Sequence, residues 1–276
     1  MRIITDSSAL FTPAEGKEMG IPVILACTVI DGKVYKDYED ISCEELLDQI
    51  GQGVIATTSQ ASIGDVLDVF AESREELLFL PIGDGLSGAY QNAIGAKNML
   101  EDADYIHIMD TRTLGGPQRY LVRLAFSLRE KGYTIEQIET ELQKRIETSV
   151  SFVIPEDFEF LRRSGRLTPI AAKLGGILKI VPVLTQTEDM QRIELFSIKR
   201  SKTKALDAIA AHLQRLQMNE SCLITLAHAG AEEAAKKAAS HLKKTFDKAE
   251  FEILQLSPSL ISHGGPGSIV IQAIRK

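Results

Sequence analysis

The chain is poor in cysteine, has no excess of positive charge and contains no long apolar run. Its three cysteines, Cys27, Cys43 and Cys222, are odd in number and far apart. That spacing suits neither a disulfide framework nor a zinc site, and small core or surface thiols are the expectation. Lys and Arg number 31 against 38 Asp and Glu, a net charge of −7. Such a balance argues against a general nucleic-acid binder, although a local basic patch stays open. No apolar stretch approaches the roughly 20 residues that span a bilayer, so stable membrane insertion is not expected. Met1 to Asp6 starts like a buried strand and lacks the longer apolar core of a signal peptide. The expected location is the cytoplasm.

What is present is a folded protein's composition. Hydrophobic residues make up 44% of the 276 residues, with no long polar low-complexity tract. The length suits two domains or one large one. The first half alternates strand and helix signals. Strands are expected at 3–5, 22–28, 54–56, 77–82 and 105–109. Helices are expected at 42–50, 62–70, 87–100, 118–131 and 135–148, with Ser42/Glu45 and Ser62/Asp65 as capping pairs. Leu77 to Ile82 is continuously apolar, as befits a strand covered on both faces. This order predicts a parallel sheet flanked by helices. The second half reads as mixed α/β: strands at 152–154, 179–184, 192–198, 223–227, 251–256 and 269–274, and helices at 157–163, 170–178, 202–217 and 232–246. The change of pattern predicts a domain boundary at 149, giving domains 1–149 and 150–276.

Two runs of small hydroxyl residues stand where strand signals give way to helix signals. They are Thr57-Thr58-Ser59-Gln60-Ala61-Ser62 and Gly85-Leu86-Ser87-Gly88-Ala89-Tyr90-Gln91. Amides at a helix start, with hydroxyls beside them, favour an anion. If both runs end neighbouring strands of one sheet, they converge on a single carboxylate or phosphate beyond the strand ends. The alternative is that Thr58, Ser59 and Ser87 only cap helices. A third run, His263-Gly264-Gly265-Pro266-Gly267, adds a candidate cation on a glycine-rich turn. His107, His212, His228 and His241 sit in strand or helix contexts, and no pair has metal-ligand spacing, so neither a metal nor a cofactor is expected.

Basic residues cluster at Arg162-Arg163-Ser164-Gly165-Arg166 and at Lys199-Arg200-Ser201-Lys202-Thr203-Lys204. Such clusters are commonly solvated, yet arginine is also the better bidentate phosphate ligand. Ala171, Ala172, Leu174, Ile177, Leu178, Ile180, Val181 and Val183 form a stretch apolar enough to line a tunnel, with ordinary core as the plainer reading.

Taken together these runs resemble the DegV family of fatty-acid-binding proteins over nearly the whole chain. The similarity also rests on Ile4-Thr5-Asp6-Ser7-Ser8, Asp110-Thr111, Phe160-Leu161-Arg162-Arg163-Ser164-Gly165-Arg166 and Leu178-Lys179-Ile180-Val181-Pro182. The resemblance implies a two-domain α/β fold with a long-chain fatty acid buried between the domains. It implies that Thr58 or Ser59, Ser87, the Gly88 amide and His263 hold the carboxylate. It further implies a lipid carrier that is not itself an enzyme and that presents its acid to a separate fatty acid kinase, for acyl phosphate formation in phospholipid synthesis. Arg166 and Arg200 are then candidate phosphate or partner contacts.

The chain departs from the family pattern in three places. Asp84 precedes Gly85 where serine is common, Ala9-Leu10 lacks the second aspartate of the opening motif, and Ser164 replaces a glycine. None of these removes a carboxylate ligand. Two rival readings stand beside the carrier. One is an acyl hydrolase with Ser87 as nucleophile and His263 or His107 as base, although Gly85-Leu86-Ser87-Gly88-Ala89 lacks a glycine of the usual elbow. The other is a phosphate sensor, which needs a small closed pocket and no apolar tunnel.

Overall fold

The computed structural model describes residues 1–174 and 180–276. The first half runs β1 (Arg2–Asp6), α1 (Pro13–Met19), β2 (Val23–Ile24), β3 (Cys27–Ile30), β4 (Lys33–Lys36), α2 (Cys43–Gly51), β5 (Ala56–Ser59), α3 (Ile63–Ala71), β6 (Leu77–Leu80), α4 (Ala89–Asn98), β7 (Ile106–Ile108), α5 (Gly115–Glu130) and α6 (Ile135–Ile146). The second half runs β8 (Val150–Ile154), α7 (Phe158–Ser164), β9 (Val181–Gln186), β10 (Ile193–Lys199), α8 (Lys202–Arg215), β11 (Cys222–His228), α9 (Glu232–Leu242), β12 (Glu250–Gln255), α10 (Pro258–Gly264) and β13 (Ile269–Arg275).

A four-stranded parallel sheet, ordered β2-β1-β6-β7, anchors the first half. Both faces of its central strand β6 are buried, which is why Leu77 to Leu80 is apolar throughout. Ile3, Leu78 and Leu80 pack against Leu121 and Val122 of α5 and Ile138 and Leu142 of α6. Ile4, Leu77 and Phe79 turn the other way, against Val66 and Phe70 of α3 and Ala93 and Ala96 of α4. Alternate residues of each strand thus feed opposite cores.

A second, three-stranded antiparallel sheet, ordered β4-β3-β5, corrects the sequence reading. The expected strand 22–28 is two strands in two sheets. Local bonds cause the break: the Ala26 N–H donates to Ser7 Oγ at 3.0 Å, and its carbonyl accepts from the Asp37 N–H at 2.9 Å. Thr57, Thr58 and Ser59 lie inside β5, so the two hydroxyl runs do not end neighbouring strands of one sheet. β4 had no counterpart in the sequence reading.

The second half forms a six-stranded mixed sheet, ordered β10-β9-β8-β13-β11-β12, in which only the β11–β12 pair is parallel. Its outer face, with Val183, Ile224 and Ile271, packs against Ala205 and Ile209 of α8 and Ala235 and Leu242 of α9. Its inner face sends Leu223 and Ile274 into the core of α5 and α6. Helix α5 is therefore wedged between the two large sheets. Gly115, at φ +64°, and Gly116 start it because nothing larger fits there. A Cβ on Gly116 would run into the Thr225 side chain, and one on Gly115 into Gln272. Gln272 closes the joint by accepting from the Gly116 N–H at 3.0 Å and donating to the Leu114 carbonyl at 2.8 Å and to Ser151 Oγ at 2.9 Å.

The helix expected over 170–178 is a 3-10 turn at Ala171–Leu174, and Ile177 and Leu178 lie outside the described residues. Cys27, Cys43 and Cys222 are all buried free thiols, as expected. Among the described residues no helix is long and apolar enough to cross a membrane.

Candidate functional site

A cavity of about 460 Å³ opens beyond the carboxyl ends of the parallel strands and runs beneath the inner face of the mixed sheet. This is the usual place for a ligand in an open α/β sheet. The first half contributes strand-end and turn residues: Asp6 at the end of β1 and Ser8 after it, Ile24 and Ala26 by β2, Thr58 to Ala61 at the end of β5, and Leu86 to Ala89 at the start of α4. The second half contributes Val153, Leu184, Ile193 and Val270 from the sheet, Ser259, Leu260 and His263 from α10, and Arg166 from the loop after α7.

Part of the wall is polar. Thr58 Oγ1 and His263 Nε2 are 2.8 Å apart. Successive side chains of a strand face opposite ways, so Thr58 meets the ring while Ser59, also on the cavity wall, turns from it. His263 is not on a glycine-rich turn. It lies in the last turn of α10, and the glycines that follow end the helix, Gly265 at φ +77°. Nor is it a cation. Burial, helped by the nearby Arg166 guanidinium, lowers its pKa from 6.5 to about 3, so the imidazole is neutral at physiological pH.

Ser87 stands just before α4, whose N-cap is Gly88. Its Oγ accepts from the Ala89 N–H at 3.3 Å, so the capping reading holds in part, and the residue also faces the cavity. The Gln60 amide packs against Gly88, where a Cβ would displace it. The hydrogen bond of the His263 ring joins it to Thr58, and among the described residues none links His263 or His107 to Ser87. The pairing of nucleophile and base that a hydrolase needs is therefore missing from this geometry.

Arg166 and Arg200 part company. Arg166 Nε donates to the Leu86 carbonyl at 3.2 Å, and its Nη1 to the Ser164 carbonyl at 2.5 Å. Among the described residues no carboxylate pairs with it, and burial lowers its pKa. It borders both the cavity and a smaller polar pocket shared with Gly85, Gln191 and Arg192. Arg200 is exposed between β10 and α8 and does not reach the cavity.

For the apolar stretch that could have lined a tunnel, the plainer reading as ordinary core fits the described residues. Ala171 and Val183 are core residues. Among the described residues none of Ala171, Ala172, Ile180, Val181 and Val183 lines the cavity. The apolar wall comes instead from Leu184 and Ile193 of the same hairpin, with Val153 and Val270 beside them. The signal that could have found Leu184 is strand alternation, which puts it on the face opposite Val183. Asn92, also on the wall, was missed; it follows the second hydroxyl run, but nothing in its spacing marks it. Gln60 lies within the first run but was given no role.

Fold and site together define an α/β protein with a largely apolar chamber whose wall also carries hydroxyls, a neutral imidazole and a guanidinium. The chain belongs to the DegV family: the family model described as "Uncharacterised protein, DegV family" matches residues 1–276. A curated relative, the DegV domain-containing protein YteA of Lactococcus lactis, is 26% identical over 100% of this chain and 98% of its own. A DegV family protein from Thermus thermophilus, whose structure is described as showing fatty acid binding, superposes with a TM-score of 0.90 at 26% identity, covering 100% of both chains. A fatty acid binding DegV family protein from Streptococcus agalactiae gives 0.88 at 26% identity, over 100% of this chain and 98% of that one.

Proposed function

We propose that this chain binds a long-chain fatty acid, with its tail under the mixed sheet and its carboxylate at Thr58, Ser87, the Gly88 amide and His263. The observation that carries the reading is one continuous cavity with both kinds of wall: Leu184, Ile193 and Val270, and the Thr58–His263 pair with Arg166. Relatives at 26% identity described as fatty-acid binders support it. Each methylene removed from water stabilises the complex by about 0.8 kcal/mol, so the tail supplies most of the affinity and the head group fixes the direction. A neutral ring, two hydroxyls and an amide accept a carboxylate without a fixed counter-charge of their own. Arg166 then supplies the field.

The same reading makes the protein a cytoplasmic carrier of two domains divided at 149. It hands the acid to a separate fatty acid kinase, with Arg166 meeting the transferred phosphoryl group and exposed Arg200 meeting the kinase. Native mass spectrometry of the protein purified from its expression host tests the ligand class: one bound mass of fatty-acid size is expected. The protein emptied of lipid should then bind oleic acid in a calorimetric titration, and Ser87→Ala should weaken that binding by about 1–3 kcal/mol. Turnover of acyl esters that Ser87→Ala abolishes, with no lipid retained, would replace the carrier by a hydrolase.

A further inference from the structure

Asp37 follows β4, is wholly buried and does not line the cavity. Among the described residues no lysine or arginine pairs with it. Donors from three other segments surround it. Ser259 Oγ donates to Oδ2 at 2.7 Å, and Ser7 Oγ to the same oxygen at 3.1 Å. The Ser259 N–H donates to Oδ1 at 3.1 Å, and Thr28 Oγ1 to that oxygen at 3.4 Å. Its own N–H is anchored to the Ala26 carbonyl at 2.9 Å. Burial still pushes the carboxyl up to about 6. A buried carboxylate without a cation is costly, and an apolar residue would serve core stability better.

What the carboxylate gains is position. Thr28 is the register partner of Thr58 across β3 and β5, so the two side chains share a face of the small sheet. Ser259 lies in the first turn of α10, and His263 is four residues on, about one helical turn further along the same face. One carboxylate therefore ties down β3, which carries Thr58's neighbour, and α10, which carries His263. Where these elements meet, Thr58 and His263 are 2.8 Å apart.

We propose that Asp37 is a positioning residue for the head-group site, setting the Thr58–His263 pair by locking α10 to the three-stranded sheet. The inference rests on the reading that the cavity takes a fatty acid. Asp37→Asn keeps the shape but sets an amide against Ser259, and Ser259→Ala removes the side-chain tie to Oδ2 and one hydroxyl from the cavity wall, leaving the Ser259 N–H on Oδ1. The probes are oleic acid and its methyl ester. In either variant the affinity for the acid should fall at least about fivefold, while that for the ester changes less than about twofold. A merely structural role would weaken both alike. The imidazole nitrogen signals of His263 in the lipid-free protein, assigned with His263→Gln, should also move in both variants. An unchanged acid-to-ester ratio with unmoved imidazole signals, in a folded variant of a protein whose wild type binds oleic acid, would overturn the inference. If the wild type takes up no oleic acid, the ligand reading fails, and the imidazole signals alone decide the role of Asp37. Should Asp37→Asn not fold, the His263 imidazole signals of lipid-free Ser259→Ala decide.

Discussion

The two halves of the chain approach the cavity in opposite ways. The first half offers ends: the turn after β1, the end of β5 and the turn before α4. The second half offers a face, the inner side of the mixed sheet, plus one short helix and one loop. Ends carry backbone amides and hydroxyls freed from ladder bonding, so they suit a charged head group. A sheet face carries every second side chain, so it makes a smooth apolar wall. Neither half closes the chamber alone. Thr58 from the first and His263 from the second complete one contact, and Arg166 of the second is bonded to Leu86 of the first.

The largest expected effect comes from separating the halves. Gly116→Val puts a branched side chain where even a Cβ strikes Thr225, at the joint of α5 and the mixed sheet. Urea unfolding should show a loss of about 3 kcal/mol or more, although valine forms helix more readily than glycine. Stability that stays at the wild-type level would mean that the halves are not held by this contact.

A smaller effect tests the shared head group. In the unfolded chain the His263 ring titrates near its ordinary 6.5, but in the fold near 3. Between those values the unfolded state binds more protons, so the ring's contribution is lost as pH falls from 6.5 towards 3. Wild type should lose about 2 kcal/mol more than His263→Gln between pH 6.5 and about 5, measured by urea unfolding of lipid-free protein. Asp37 acts with the opposite sign. Its carboxyl is raised from 3.8 to about 6, which lowers stability as pH rises through that window. Both proteins share this term, so it cancels in the difference. Parallel pH curves would place the ring in contact with bulk water and detach it from the first half's hydroxyl.

The smallest effect separates the two arginines. Arg200→Ala, on the exposed turn, should leave the oleic acid dissociation constant within about twofold by calorimetry. A larger change would extend the site beyond the cavity walls.

Much of the frame was legible in the residues. The apolar run at Leu77 to Leu80 marked a strand buried on both faces, and the capping pairs at Ser42/Glu45 and Ser62/Asp65 marked true helix starts. Ser87, Gly88, Thr58 and His263 do gather on one cavity. The reason given for their convergence was nevertheless wrong, because Thr58 reaches the site from a small antiparallel sheet. The break at Leu25–Ala26 that creates this sheet depends on Ser7 and Asp37, which are remote in the chain. Which side of the β9–β10 hairpin is core and which is wall was not legible, because an apolar run does not say which face meets another sheet.

By itself the sequence determined local preference: where strands and helices begin, which runs are small and polar, and the family to which those runs point. The element starts follow from neighbours a few residues apart, through capping, alternation and turn chemistry, and the family from the resemblance of the runs. Only the tertiary structure decided that His263 is neutral, that Arg166 and not Arg200 faces the cavity, and which side of each strand is wall. Those outcomes depend on burial and on partners distant in the chain, and desolvation acts only once the chain has closed around a group.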